Sequence, residues 1–379
     1  MAVRTAGKKP FQERLNKAYD WMAREGIGMA MIEDSEDRRD SSLRWLTGMP
    51  ADALLFLSVE RKALLVPWDI NIARIYAEAD YLRSYGEFDR LPVKACKKAA
   101  ALLKIPHNSR VEIPSVTPYP RFLGFIEALT DFDVICRETD SFSGALEQFR
   151  AVKDEEEIAV YRRAAAITDG IIDLLEKQLR GGKLKTEYDA AQLIEGECRK
   201  QGCEGTGFKT LAAGPGRSFA IHAFPPYTME PFGTPGLSIL DFGVAYRGYT
   251  TDVTLTVAAD STRAQEKLVT LTEKAYKLAL ETARSGRAAV DIAAGVDAFF
   301  ARANKSMPHA LGHGIGLDAH ESPVLRNRGD NGWILEPGMV ITLEPGLYDS
   351  KLGGCRLEND VLITEQGAEA LTHSRIIRL

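Results

Sequence analysis

Two segments of the chain each place two acidic residues beside apolar, strand-like runs. In the first segment an apolar run leads into Asp241, and Asp252 follows a glycine-containing turn, with ten residues between the two acids. In the second segment Glu344 follows another apolar run, and Glu358 follows a turn that contains two glycines. Apolar runs interrupted by such turns predict two β-hairpins. Each hairpin would present two carboxylates.

Four carboxylates in one pocket would repel one another strongly. Two like charges ~4 Å apart repel by roughly 4 kcal/mol at an effective dielectric constant of about 20. Cations would therefore have to hold the acids together, and His313, between Gly312 and Gly314, would supply a fifth ligand. Oxygen-rich coordination with one imidazole suits Mn²⁺ best, with Co²⁺, Fe²⁺ or Zn²⁺ as alternatives. The pattern predicts a two-metal hydrolytic centre.

Three of the six histidines, His309, His313 and His320, lie within twelve residues. The glycines interleaved with them would leave backbone space around His313 for the close approach of a metal or substrate. His222 stands in an apolar setting, Phe219-Ala-Ile-His-Ala-Phe, and its spacing fits a structural role as well as a functional one. The histidine cluster therefore adds to the metal hypothesis, whereas His222 stays undecided on spacing alone.

An internal repeat would bring the two hairpins together. Residues ~150–258 and ~261–379 both read as helix, helix and then strands, which is the pattern of a duplicated unit. A pseudo-two-fold axis between the copies would place the hairpins face to face. Helices are expected over 158–179 from apolar periodicity, over 186–202 from a capping signal at Thr186, and over 290–303.

The chain before the repeat alternates strand and helix patterns, which indicates a separate α/β domain. Strands are expected at 28–33, 53–58 and 62–67, and helices at 17–25, 70–78 and 93–103. The polar stretch after residue 140 leads into the long amphipathic helix, so the predicted domains are 1–145 and 146–379. Residues 1–145 contain no cluster that carries chemistry by itself.

The composition is that of an ordinary soluble protein large enough for two cores, with 379 residues, 45% hydrophobic and 27% charged. A net charge of −5 and a pI near 5.8 argue against nucleic-acid partners. No apolar stretch approaches the ~18 residues of a membrane span, and the basic segment 1–14 is not followed by the apolar region of a signal peptide. Five scattered cysteines suit reduced thiols. These features predict a cytoplasmic protein with neither nucleic-acid nor membrane partners.

The motifs LDFG…GYTTDVT, HALGHGIGLDAHESP, ITLEPGLY and GCRLEND closely resemble those of the pita-bread metallopeptidases, in the prolidase and aminopeptidase P branch. The resemblance covers residues ~150–379. Residues 1–145 resemble the creatinase-type N-terminal domain more weakly, chiefly in Leu43-Arg-Trp-Leu-Thr-Gly48. The implied fold is a small α/β N-terminal domain followed by a pita-bread catalytic domain with pseudo-two-fold α+β structure. The implied ligands of two divalent metal ions are Asp241, Asp252, His313, Glu344 and Glu358.

The same resemblance implies a reaction and further site residues. The reaction is hydrolysis of the peptide bond before proline, by an aminopeptidase or a dipeptidase. Glu344 would act as general base and pass its proton to the proline nitrogen. His222 and His320 would face the substrate, and His320 would stabilise the oxyanion together with one metal. His309 would line the proline pocket, and Arg356 matches the arginine two residues before the last ligand. A homodimer is also implied.

Two other hypotheses about the function stay open for this fold. One is hydrolysis of a non-peptide C–N bond, as in creatinase, and the other is a catalytically silent binding module. Both kinds of relative have typically lost the metal ligands, whereas all five stand here. One departure concerns Leu255, because the branch often has arginine at this position. The expectation is that a cation near the ligands is missing, with an effect on substrate preference.

Overall fold

The computed structural model describes residues 8–328 and 332–379. The chain divides into two compact units, Met1–Arg150 and Ala151–Leu379. The boundary expected after residue 145 lies inside the helix Phe142–Ala151. Of the basic N-terminal segment, residues 1–7 lie outside the described residues. In the part of the chain that is described, no helix is both long enough and apolar enough to cross a membrane.

The first unit is an α/β domain built on one sheet. Its helices are α1 (Lys8–Glu25), α2 (Ser41–Thr47), α3 (Ile70–Tyr76), α4 (Pro92–Leu102), α5 (Tyr119–Ala128) and α6 (Phe142–Ala151), with a 3₁₀ turn at Tyr85–Phe88. Its strands are β1 (Ile27–Asp34), β2 (Ala53–Ser58), β3 (Lys62–Pro67), β4 (Tyr81–Leu82), β5 (Arg110–Glu112) and β6 (Asp133–Ile135). The sheet order is β4-β3-β2-β1-β5-β6. The sequence therefore predicted the class of this unit correctly.

Apolar side chains explain why this sheet is central to the first unit. Strands β1 and β2 are buried along their whole length, and they pair antiparallel with each other. Met29, Phe56 and Val111 on the sheet pack against Ala95 of α4 and Phe125 of α5. Burial of such side chains is the main favourable contribution to folding.

The second unit contains four long helices and fourteen strands among its described residues. The helices are α7 (Glu155–Arg180), α8 (Glu187–Lys200), α9 (Arg263–Thr282) and α10 (Ala289–Arg302). The strands are β7 (Gly205–Thr206), β8 (Leu211–Ala213), β9 (Gly236–Phe242), β10 (Val244–Tyr246), β11 (Tyr249–Thr250), β12 (Val253–Ala259), β13 (Gly312–Gly314), β14 (Glu321–Leu325), β15 (Val340–Leu343), β16 (Gly346–Asp349), β17 (Gly353–Arg356), β18 (Asn359–Thr364), β19 (Gly367–Ala370) and β20 (Ile376–Arg378).

Three of the four helices begin with a reciprocal capping box, which satisfies backbone N–H groups that have no partner within the helix. The capping residues are Asp154 for α7, Thr186 for α8 and Thr262 for α9. Helix α7 ends at Gly181, as the sequence predicts. Local signals in the sequence therefore define where these helices begin.

The two halves of the second unit repeat one sheet pattern. Strands lie in the order β8-β9-β12 in the first half and β13-β15-β18 in the second, each next to a pair of helices. An isolated bridge between Thr254 and Glu358 joins the two sheets, with the Glu358 N–H donating to the Thr254 carbonyl at 3.0 Å. The predicted duplication and its pseudo-two-fold arrangement are thereby confirmed.

The first hairpin has the form that the sequence predicts. Strand β9 pairs with β12, and β10 pairs with β11 around the turn Arg247-Gly248. Both turn residues have positive φ, 52° and 88°, which is the backbone of a type I′ turn. Asp241 is next to last in β9, and Asp252 directly precedes β12.

The second hairpin, like the first, consists of two ladders with a break between them, and its acids stand at the breaks. Strands β15 and β18 form one ladder and β16 and β17 another, with Glu344 and Glu358 at the breaks. The Glu344 N–H donates to the carbonyl of Leu311 at 2.8 Å instead of to the opposite strand. Pro345 has no N–H to donate. The backbone therefore leaves the ladder and turns both acids toward the first hairpin.

Candidate metal centre

All five predicted metal ligands lie close together, at the junction of the two hairpins. Ligand atoms of Asp252, His313 and Glu358 all lie within 4.8 Å of one another. His313 Nε2 is 3.7 Å from Asp252 Oδ2 and 3.7 Å from Glu344 Oε1. Asp241 forms an ion pair with Arg356, and Nε of Arg356 lies 3.9 Å from Glu358 Oε2. The Asp241 carboxylate therefore lies beside the same cluster.

Unpartnered oxygen atoms show that the acids fit a cation. The Oδ1 atoms of Asp241 and Asp252 are both buried, and neither has a hydrogen-bond partner among the described residues. A buried carboxylate oxygen left unpaired costs free energy. Hard divalent cations prefer such oxygens as ligands. The chemistry of the donor set therefore fits the two divalent ions that the sequence predicts.

The electrostatics of the cluster also favour bound cations. Burial, followed by the charges of Glu358 and Asp241, raises the pKa of Asp252 well above its ordinary value. Burial and Glu358 do the same to the pKa of Glu344. Burial and Asp241 raise the pKa of Glu358 to about 7. Because each carboxylate disfavours the charge on the next, positive charge in the centre would relieve the repulsion.

His313 is in the protonation state that a metal ligand needs. Burial and the neighbouring His320 lower its pKa to about 4, so the ring is neutral at physiological pH. Its Nδ1 lies 2.9 Å from the carbonyl of Gly314, which assigns the proton to Nδ1 as the donor. The lone pair is therefore on Nε2, the atom that faces Asp252 and Glu344.

Arg356 and Thr254 hold the carboxylates in place, and sequence reasoning missed the threonine. Thr254 Oγ1 donates to Glu358 Oε2 at 2.6 Å and accepts from Arg356 Nε at 2.8 Å. Arg356 also donates to the Tyr348 hydroxyl at 2.9 Å. Thr254 lies two residues after Asp252, and strand alternation puts such residues on one face. That spacing was the available signal.

Asp360 is a second residue that sequence reasoning missed. It is fully buried, and both its carboxylate oxygens lie 3.2 Å from the backbone N–H of Asp252. Burial raises its pKa well above the ordinary value. Asp360 therefore fixes the backbone of one predicted ligand without entering the cluster itself.

His309 lies beside the acids and makes a specific contact with Tyr348. Its Nε2 is 3.1 Å from the Tyr348 hydroxyl, and its Nδ1 is 2.8 Å from the carbonyl of Ala310. Burial lowers the pKa of His309 to about 4, and the nearby charges of Arg356 and His222 act in the same direction. With Nδ1 as donor to the carbonyl, Nε2 accepts from the tyrosine hydroxyl.

His320 and His222 are exposed side chains at the edge of the cluster. The His320 ring centroid is 4.3 Å from that of His313. Strand β13 ends at Gly314 and β14 begins at Glu321, so the chain bends between the two histidines. His222 directly follows Ile221, whose carbonyl accepts a hydrogen bond from Arg356 at 3.1 Å. The structure thus brings together all nine predicted site residues.

The glycines around His313 serve a different purpose from the one expected. A Cβ atom at Gly312 would overlap the Thr342 carbonyl, and one at Gly314 would overlap the Ser322 carbonyl. The space beside these glycines is thus filled by neighbouring backbone, and it is not left for a metal or substrate. They are required because strands β13, β14 and β15 pack closely around His313.

Leu255 does not face the cluster of predicted metal ligands. It is completely buried and belongs to an apolar cluster with Leu240, Phe242 and Val257. Its neighbour Thr254 bonds Glu358, and successive strand residues face opposite sides. An arginine at position 255 would therefore point away from the carboxylates, so the expected loss of a cation beside the ligands does not apply.

Comparison with known proteins agrees with this arrangement. Residues 159–365 match Metallopeptidase family M24. An Xaa-Pro dipeptidase of Pyrococcus horikoshii is 28% identical over 367 residues, covering 95% of this chain and 97% of the relative. An Xaa-Pro dipeptidase of Pyrococcus furiosus is 31% identical over 291 residues, covering 76% and 80% of the two chains.

A solved X-Pro aminopeptidase of Thermotoga maritima superposes with a TM-score of 0.82 at 26% identity. The superposition covers 96% of this chain and 99% of that one, so the likeness includes both units. The family match spans more than half of the chain and contains all five clustered residues that the sequence predicts as ligands. This protein is a hydrolase that belongs to metallopeptidase family M24, in its prolidase and aminopeptidase P branch with the pita-bread fold.

Proposed function

We propose that this protein is an exopeptidase that hydrolyses the bond before proline, either in dipeptides or at peptide N-termini. The observation that carries the proposal is the cluster of four carboxylates, three of them buried, with two unpartnered oxygens beside a neutral imidazole. The names of the relatives support the specificity, because they include Xaa-Pro dipeptidases and an X-Pro aminopeptidase. The creatinase-type and silent-module readings gain no support from these findings.

Two divalent ions, with Mn²⁺ as first choice, would be held by Asp241, Asp252, His313, Glu344 and Glu358. When bound, such ions lower the pKa of water and polarise a carbonyl group. The ion pair with Arg356 occupies Oδ2 of Asp241, and this leaves Oδ1 for a cation.

Glu344 is the carboxylate best placed to move a proton. Its side chain is 17% exposed, against 7% for Asp252 and 3% for Glu358, so it is the most open of these to a substrate. The proline nitrogen is tertiary in the substrate and leaves poorly until it is protonated. Glu344 would accept a proton from the water that attacks the scissile carbonyl and deliver it to that nitrogen as the C–N bond breaks.

The histidines would then orient the substrate around this proton transfer. His320 and His222 are exposed at the cluster and can donate hydrogen bonds to a substrate carbonyl. Hydrogen bonds with Tyr348 and Ala310 fix the ring of His309. The ring lies beside Glu344, with Nδ1 3.7 Å from Glu344 Oε2. A fixed neutral ring suits the apolar proline side chain. Arg356, buried behind the acids, would orient Asp241.

The proposal is tested by assaying two peptides with the Mn²⁺-loaded protein, one Xaa-Pro dipeptide and one Xaa-Pro-Xaa tripeptide. The matched controls replace proline by alanine. We expect release of the first residue from at least one proline peptide and little from the alanine controls. The preferred length would distinguish dipeptidase from aminopeptidase. Failure to cleave either proline peptide with Mn²⁺ or Co²⁺ present would refute the proposed function.

A homodimer is also proposed, and apolar exposure on the first unit supports it. Tyr119, Leu123 and Ile126 are all exposed, and their spacing puts them on one face of α5. Exposed apolar patches of this kind mark contact surfaces. Light scattering at micromolar concentration is expected to give twice the chain mass. An active monomer would contradict this prediction.

The proposed cytoplasmic location rests on the cysteines, all five of which are free.

A further inference from the structure

A buried ion pair next to the cluster of predicted metal ligands has no part in the mechanism above. Lys153 Nζ lies 3.1 Å from Glu321 Oε2, and the two side chains are only 1% and 7% exposed. Removing both charges from water carries a large desolvation cost, so a buried pair is weak evidence for a gain in stability. The surroundings of the pair therefore have to show what it does.

Glu321 fills the inside of the loop that joins β13 to β14. Its Oε1 accepts the backbone N–H of Asp318 at 3.1 Å. A Cβ atom at Gly316 would lie only 2.6 Å from its carboxylate, so this carboxylate occupies the space where a side chain at position 316 would be. The loop is thus folded around one carboxylate.

The start of the loop is tied to the rest of the second unit. The Thr250 N–H donates to the Gly316 carbonyl at 2.7 Å, and the Ile315 N–H donates to the Val340 carbonyl at 3.1 Å. These bonds fix residues 315 and 316, and the Gly316 N–H donates to the Asp318 carbonyl at 3.1 Å within the loop.

Lys153 approaches the loop from a rigid position. Its backbone N–H donates to the Gly338 carbonyl at 2.9 Å, and the next residue, Asp154, caps the N-terminus of α7. The ammonium group is therefore held by two fixed elements. It contacts the Glu321 carboxylate at Oε2, whereas Oε1 accepts the bond from the loop.

The loop carries His320, whose ring lies 4.3 Å from that of His313. His320 directly precedes Glu321, so a shift of the Glu321 carboxylate moves the backbone of the histidine. We infer that Lys153 and Glu321 are positioning residues that hold His320 over the reaction centre. This inference rests on the proposed function, since His320 is there assigned to the substrate carbonyl.

The variant Glu321→Gln tests the inference. Misplacement by ~1 Å of a group that contacts the substrate can lower a rate by about 10²-fold. We expect kcat to fall by 10- to 100-fold, an estimate on the order of that figure, while KM and metal content stay near those of the wild type. The matched control is Glu369→Gln, which removes a glutamate from an exposed ion pair with Arg162 and should leave kcat unchanged.

A double-variant comparison separates positioning of His320 from a general effect. If the pair acts through His320, then Glu321→Gln should lower kcat little further in a His320→Ala background. A loss of the same factor in both backgrounds would overturn the inference, as would normal kcat in Glu321→Gln itself. An inactive wild type would instead refute the proposed function and leave this comparison without a signal.

A structural readout covers that case and the case of poor folding. In metal-free protein, the His320 ring signals, identified in NMR spectra by their loss in His320→Ala, should shift in Glu321→Gln and not in Glu369→Gln. Lys153→Met combined with Glu321→Gln leaves no unpaired buried charge, so this protein should fold and show the same shift. Unchanged His320 signals in both variants would overturn the inference whatever the activity.

Discussion

Replacement of Asp252 by asparagine is expected to lower kcat/KM by at least about 10³-fold. Asp252 shares a cluster with His313 and Glu358, and an amide is a weaker ligand for a divalent cation than a carboxylate. Metal ions stabilise transition-state charge by several kcal/mol, and ~4 kcal/mol corresponds to about 10³-fold in rate. Metal analysis of the purified variant should show fewer than the two ions expected for the wild type.

The same substitution should leave the metal-free protein at least as stable as the metal-free wild type. Burial and the neighbouring carboxylates raise the pKa of Asp252, so its charged form is disfavoured in the folded state. A carboxyl group with a raised folded-state pKa favours folding only while it is protonated, and this contribution is lost as pH rises. Asparagine stays neutral at every pH. The advantage of the variant should therefore be largest at pH 8 and shrink toward about pH 4, the ordinary carboxyl range.

Thermal unfolding with EDTA and with Mn²⁺ measures both effects. Ligands that bind only the folded state raise Tm, so Mn²⁺ should raise Tm for the wild type more than for Asp252→Asn. Glu187→Gln is the matched control, because Glu187 is a buried carboxylate whose oxygens accept bonds from Gly214 and Thr228. That variant should lose stability and keep its metal. If Asp252→Asn bound and used Mn²⁺ normally, the ligand assignment would be wrong.

Elements with strong local signals were predictable from the sequence. Strands β2 and β3 match their predicted bounds, because short apolar runs separated by a charged turn have few alternatives. Helix α7 was predictable from the helical spacing of its apolar residues, and its end was predictable from the glycine that follows it, Gly181. The break at Glu344 in the second hairpin was not. It depends on a hydrogen bond to Leu311, a residue distant in sequence.

The residues of the candidate site also differ in whether the sequence could predict them. Asp241 and Asp252 could be predicted to lie in one cluster, because acids beside apolar strands are uncommon and the hairpin pattern occurs twice. Asp360 and Lys153 could not, since each is an ordinary charged residue until its partner is known. Their roles depend on contacts with Asp252 and Glu321. Pairing across more than a hundred residues of chain leaves no local trace in the sequence.

Replacement of His320 by alanine is expected to separate catalysis from metal binding. The His320 ring is exposed, whereas His313 is buried and presents Nε2 to Asp252 and Glu344. His320→Ala should therefore keep its metal and lose kcat and kcat/KM together, by ~10²-fold if the ring stabilises the oxyanion. His313→Ala should lose metal as well as activity, because no other described imidazole faces the same two carboxylates.

Steady-state kinetics and metal analysis of both variants decide between these roles. Close contact of the rings, 4.3 Å between centroids, allows a different outcome in which both histidines serve one ion. In that outcome His320→Ala would lose metal as His313→Ala does, and excess Mn²⁺ would restore part of its activity. A substrate-facing His320 leaves nothing for added metal to restore, so its rate deficit should persist at saturating Mn²⁺. Normal turnover by His320→Ala would exclude both roles and, with them, any need for the loop around Glu321 to hold this ring in place.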